Sequence, residues 1–259
     1  MASNKLGRLR RFNLIMAGLH AVQGIAILWL ATDFTLPLNL GYLRFDAAAQ
    51  SLVPAAKTIT DVPLAALVVA FLFMSALAHL VIATVGRRRY ERGLRKGINR
   101  FRWVEYAFSA STMMVAVAML VGIYDAASLA LIFLAVAVMN LCGLVMEAHN
   151  QALRRAETTS RTNWLAFWVG SLAGIAPWIA VALYLASGAA YGSKAPDFVY
   201  WIFVSIFVFF NCFAINMVLQ YKGVGKWRDY LYGERAYILL SLFAKSALAW
   251  QVFAGTLRP

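Results

Sequence analysis

The stretch "SLFAKSALAW", Ser241–Trp250, places a lysine at the centre of an apolar run. The nearest charges along the chain are Arg235, ten residues before Lys245, and Arg258, thirteen after it. A lysine in mid-bilayer costs roughly 2.5–3.5 kcal/mol on insertion scales. A membrane-length segment that keeps such a residue is read as one span of a bundle whose interior uses the amine.

Working outward, 62% of the 259 residues are hydrophobic and only 14% are charged, beyond the range of a soluble globular domain. A helix needs about 20 mostly apolar residues to cross the hydrocarbon. Seven segments qualify, roughly 12–32, 62–85, 102–123, 127–148, 163–188, 198–221 and 235–256. The expected fold is an all-α membrane protein, a seven-helix bundle forming one domain over 1–259. The first segment follows the basic start "NKLGRLRR", but its apolar stretch is too long for a secretory signal and no small-residue cleavage site follows, so it reads as a retained span.

The net charge of +13 does not point to nucleic acid, because the basic residues fall almost entirely in the connections between spans. On the side of the N-terminus lie 19 of the 24 Lys and Arg, against four on the other, and Lys245 completes the set. The positive-inside rule therefore puts the N-terminus in the cytoplasm and the C-terminus outside. The basic connection "GRRRYERGLRKGINRFR" reads as an anchor for that orientation, with anionic membrane lipids as secondary contacts. Trp103, Tyr124, Tyr200, Trp201, Trp227 and Tyr230 near span ends read as interfacial belts. The external segment 33–61 is expected to form a short β-hairpin around "NLGYLRF" and to serve as a dimer contact. Cys142 and Cys212 read as packing residues.

Ionisable residues within spans face the bundle interior and pair with one another. Glu105 in "RWVEYAFSAST" is the expected partner of Lys245: spans three and seven run in the same direction, and the lysine chain leans toward the helix N-terminus, where Glu105 lies. Glu147, in "MEAHNQALRR", reads as an interfacial or snorkelling acid at the cytoplasmic mouth of span four. Ser75 and His79 are i and i+4 on span two, and His20 and Gln23 are i and i+3 on span one. These are expected at the level of Glu105. Ser241 lies one turn before Lys245 and on its face. Asn140 and Asn216 are amides in lipid that require partners the sequence does not name.

A single lysine in the seventh of seven spans, an acid early in the third and an internal N-terminus together resemble the heliorhodopsins. These are relatives of the microbial rhodopsins with inverted membrane orientation. The motifs "SALAH" at 75–79, "RWVEY" at 102–106 and "SLFAKS" at 241–246 carry the resemblance, which covers essentially the whole chain. It implies all-trans retinal bound to Lys245 as a Schiff base, Glu105 as counterion, and Ser241 and Ser75 as hydrogen-bonding neighbours. It further implies a proton-accepting cavity of His79, His20 and Gln23, a homodimer through the hairpin, and a slow photocycle without ion pumping in a sensory or regulatory role. Ser109, Met113, Asn140, Trp168, Phe207 and Phe210 are candidate retinal-pocket residues, though aromatics at helical spacing are also ordinary core.

Independently of that resemblance, the residues disfavour an outward proton pump. Spans five and six hold no internal Asp or Glu, and the outer half of the bundle lacks ionisable groups below Asp125 and Asp197. An unknown cytoplasmic signalling partner is expected at the basic face, and no enzymatic chemistry is indicated. Three alternatives remain at this stage: a light-driven ion transporter or channel, a chromophore-free transporter gated by a Lys–Glu pair, or a structural protein with a buried ion pair. The last gains little net stability from such a pair.

Overall fold

The computed structural model describes residues 2–156 and 161–258. Helix α1 (Ala2–Leu30) leads into an antiparallel hairpin of β1 (Thr35–Asp46) and β2 (Ser51–Pro63). There follow α2 (Leu64–Ala83), the short α3 (Arg87–Arg95), α4 (Arg100–Leu120), α5 (Ala126–Arg155), α6 (Leu165–Ala190), α7 (Asp197–Lys222) and α8 (Tyr230–Val252), which ends in a wider turn over 253–257. Seven of these helices, all but α3, are long and apolar enough to cross a membrane. The fold is thus a mostly helical seven-span bundle with one two-stranded hairpin. The spans from α1 to α6 pack closely on their neighbours in chain order, α6 and α7 meet through Trp178 and the rings of Phe203, Phe207 and Phe210, and α8 closes against both α7 and α1.

The helix boundaries follow local chemistry. Asn99 caps α4 by accepting from Arg102 N, Asp125 caps α5 by accepting from Ser128 N, and Asp229 caps α8 by accepting from Leu231 N. Each satisfies an N–H that a helix start otherwise leaves bare. The backbone and hydroxyl donors of Ser128 hold the Asp125 carboxyl below the ordinary range. Gly223 ends α7 in the left-handed region at φ 61°, a conformation that costs glycine little.

The expected hairpin is present, and it is longer than the short one anticipated around "NLGYLRF", with strands of 12 and 13 residues. Its root is tied to the bundle: Asn39 N donates to Tyr124 O, and Leu36, Leu38 and Val62 pack on the core. Its outer part exposes Leu43, Phe45 and Leu52. The basic connection is also more ordered than a lipid anchor requires, because α3 buries Tyr90 and Leu94 against α1 and α8 side chains. Trp103 departs from the belt reading, being 6% exposed in the interior. Asn216 finds partners by donating to Gly233 O and accepting from Trp227 Nε1.

Close helix approach decides where the bundle tolerates bulk. A Cβ at Gly143 on α5 would collide with the Trp103 ring of α4, whereas one at Gly18 on α1 meets nothing within 4 Å. Gly143→Leu is expected to lower stability by about 1–3 kcal/mol through overpacking. Gly18→Ala should be neutral or stabilising by up to about 1 kcal/mol. Thermal unfolding of the purified variants checks the contrast.

Candidate functional site

Lys245 projects from α8 into the bundle at 2% exposure. Its Nζ donates to Glu105 Oε1 at 3.0 Å and to Ser241 Oγ at 2.8 Å, and lies 5.1 Å from the centre of the Tyr106 ring. Ser75 Oγ on α2 is 2.6 Å from the same Glu105 oxygen and 3.1 Å from Phe71 O. Its one proton goes to the carboxylate, the stronger acceptor. Ser109, a turn beyond Glu105 on α4, is fully buried beside it, and its hydroxyl makes no hydrogen bond among the described residues. The helical steps explain the convergence: positions four apart share a face, so Ser241 with Lys245 and Glu105 with Ser109 each present one polar patch.

His79 and His20 meet below this pair as parallel rings 5.7 Å apart, inclined by 9°. His79 Nδ1 is 2.8 Å from Asn13 Oδ1, while neither His20 nitrogen has a partner among the described residues. A buried polar group left unpaired costs about 1–3 kcal/mol, so packing alone does not account for His20. Gln23 does not join this group. A three-residue step from His20 turns the side chain about 60° out of the seam, where it accepts from Trp250 Nε1, five residues beyond Lys245.

From Lys245 an apolar slot runs between α4, α5, α6, α7 and α8. Met113, Asn140, Phe207 and Phe210 line it, as do Tyr106 and Trp178, which the sequence did not single out. Trp178 stands edge-on to both Phe207 and Phe210, with ring centres 5.2 and 5.3 Å apart. Asn140 satisfies one amide proton on Val136 O of its own helix. Trp168 is 66% exposed on the outer face of α6 and takes no part in the slot; Phe167, the residue before it, faces inward instead.

Glu147 is not an interfacial acid. At 1% exposure it pairs with Arg102, accepts from Asn99 N, Trp103 Nε1 and Tyr230 Oη, and belongs to a second buried cluster. Arg102 also pairs with Glu234, which accepts from Tyr90 Oη and Asn99 Nδ2. The guanidinium lies over the Tyr237 ring at 3.9 Å and the Trp103 ring at 4.7 Å. Arg102 and Glu234 escaped the sequence reading because both stand at span ends among basic connections. The available signal was spacing: Glu234, Ser241 and Lys245 lie at i, i+7 and i+11, on one face of α8.

A family model described as heliorhodopsin matches residues 9–257. The chain belongs to the heliorhodopsin family. It is therefore a retinal-binding, multi-pass membrane rhodopsin. Among curated proteins no match was found. The residues fit the cofactor of a heliorhodopsin: the slot is apolar and aromatic as a polyene requires, one primary amine opens on it, and a carboxylate stands by to balance charge there. Gly174 on α6 also borders this slot, and a Cβ there would strike the Met139 sulfur.

The Arg102 cluster gives a stability prediction for this heliorhodopsin. Arg102→Met leaves two buried carboxylates without their cation and is expected to cost about 3–5 kcal/mol. Equilibrium denaturation in detergent checks it against Lys5→Met, whose exposed pair with Asp229 contributes at most about 1 kcal/mol.

Proposed function

We propose that this heliorhodopsin is a non-pumping photoreceptor in which Lys245 carries all-trans retinal as a protonated Schiff base and Glu105 is its counterion. The observation that carries the reading is the buried Lys245 amine, which borders an apolar aromatic slot and has one carboxylate oxygen 3.0 Å away. Once joined to Nζ with loss of water, retinal supplies visible absorption and a light-driven change of shape. The chain's residues do the rest. Glu105 balances positive charge at Nζ in a medium where an isolated charge is strongly disfavoured. Ser241 and Ser75 fix the amine and the carboxylate by hydrogen bonds. Met113, Trp178, Phe207 and Phe210 hold the polyene and exclude water.

His79 and His20 offer the ring nitrogens able to take a proton from this region. Toward the hairpin end the only acids are those at the helix ends and in the connections, including Asp125 and Asp197, so a proton has no carboxylate relay to follow. Proton movement thus stays local, and the output is sensory or regulatory rather than a gradient. The charge count supports a cytoplasmic N-terminus, which makes the hairpin extracellular. Exposed Leu43, Phe45 and Leu52 suit that hairpin to pairing in a homodimer, and the cytoplasmic basic face suits anionic lipids and a signalling partner.

Protein purified with all-trans retinal should show a visible absorption band that Lys245→Ala lacks. Glu105→Ala should bind retinal yet absorb at the shorter wavelength of a neutral linkage. A visible band in Lys245→Ala rejects the assignment of the amine. Illuminated vesicles should show no sustained change in external pH, and a sustained change rejects the non-pumping reading.

A further inference from the structure

Where α3 and α5 end, an open polar cleft of about 360 Å³ is lined by Arg95, Lys96, Gly97, Gln151 and Arg155. Arg95 and Lys96 close α3, and Gln151 and Arg155 lie one turn apart at the end of α5. Asn99 ties the two halves together, its backbone N–H donating to Glu147 on α5 at 2.9 Å. Gly97, at φ 68°, supplies the left-handed residue that turns the chain out of α3. A Cβ there would collide with Gln151 Nε2, so this glycine also makes room for the amide.

Three cations meet at this cleft without an anion. Glu91 precedes Arg95 by four residues on α3, the favoured order for a helical ion pair, yet it bonds Arg87 at 2.6 Å instead. Glu147, one turn before Gln151, is turned inward to Arg102. The side chains of Arg95, Lys96 and Arg155 make no ion pair or hydrogen bond among the described residues, and neither does the Gln151 amide. Glu157 lies outside the described residues. Basic residues at helix ends ordinarily serve the last carbonyls. At α3 that role is already filled by the backbone, with Gly97 N donating to Leu94 O and Ile98 N to Gly93 O. At α5, Ala156 N donates to Ala152 O. The like charges repel one another, and a bound anion relieves that repulsion.

The depth of the cleft narrows the ligand. Helix α5 has 30 residues and so runs about 45 Å, against a hydrocarbon thickness of about 30 Å. Its last turns reach the level of the headgroups and the water beyond them. Arginine forks match phosphate oxygens two at a time, and a lysine adds a compact charge. We propose that this cleft binds a phosphate group, borne by a lipid headgroup or by a soluble anion, with Arg95, Lys96 and Arg155 matching its charge and Gln151 giving it a neutral hydrogen bond. This goes beyond the diffuse attraction of a basic face for anionic lipids, and it requires neither retinal nor Lys245.

The test is native mass spectrometry of the full chain in detergent, titrated with phosphatidic acid in one arm and inorganic pyrophosphate in the other. A saturable adduct is expected, and the arm in which it forms identifies the source as lipid or soluble. Arg95→Gln and Arg155→Gln should each weaken that adduct about tenfold, and Gln151→Leu, which changes no charge, about fivefold. Lys226→Gln removes an exposed charge from another connection at the same end and should alter it by less than about twofold. Gln151→Glu, close in shape to the native side chain but negative, should abolish the adduct, and circular dichroism verifies that each variant is folded. Absence of a saturable adduct in both arms overturns the inference. So does an adduct that Gln151→Leu and Gln151→Glu leave unchanged, or one that Lys226→Gln weakens as much as Arg155→Gln, since diffuse attraction would behave in that way.

Discussion

The bundle is organised around the cost of a buried amine. Lys245 sits where water does not reach, and every neighbouring choice reduces the free energy of its charge: Glu105 at 3.0 Å, Ser241 at 2.8 Å and the Tyr106 ring face at 5.1 Å. A pair of this kind offers little net stability over well-packed apolar residues. The proposed attachment of retinal at the amine would explain its presence, and an apolar aromatic slot opens beside it. The family is a retinal-binding one, and the slot has the apolar lining that a polyene requires.

A second set of charges stands nearer the basic end, and its logic differs. Arg102 lies between Glu147 and Glu234, stacked on Tyr237 and Trp103. Trp103 and Tyr237 also line the slot, so the two regions share walls. Arg102 thus stands against rings that also border the slot beside Lys245. In the orientation the charge distribution favours, that end faces the cytoplasm.

Much of this was legible in the sequence because membrane helices expose their exceptions. Lys245 and Glu105 stand out from apolar runs, and the i, i+4 rule adds Ser241 and ties Ser75 to His79. What the sequence hid has two physical causes. Charges at span ends are ordinarily solvated, so Arg102 and Glu234 read as part of the basic connections, and Glu147 as an interfacial acid, until packing showed all three buried. Helical phase is the other cause. Gln23 and Trp168 sit one step from residues that do face the interior, and a rotation of 60–100° per such step carries a side chain from the seam to the lipid face or a neighbouring helix. Tyr90 depended on a short helix, α3, that a connection rich in arginine gave no reason to expect.

The central claim is that one amine, that of Lys245, carries the cofactor. It is tested most directly by reconstituting the protein with all-trans retinal, reducing the linkage with borohydride and locating the adduct by peptide mass spectrometry. The account predicts a single retinyl modification, on the peptide containing Lys245. A stable adduct on any other lysine, or none where the visible band is present, contradicts it.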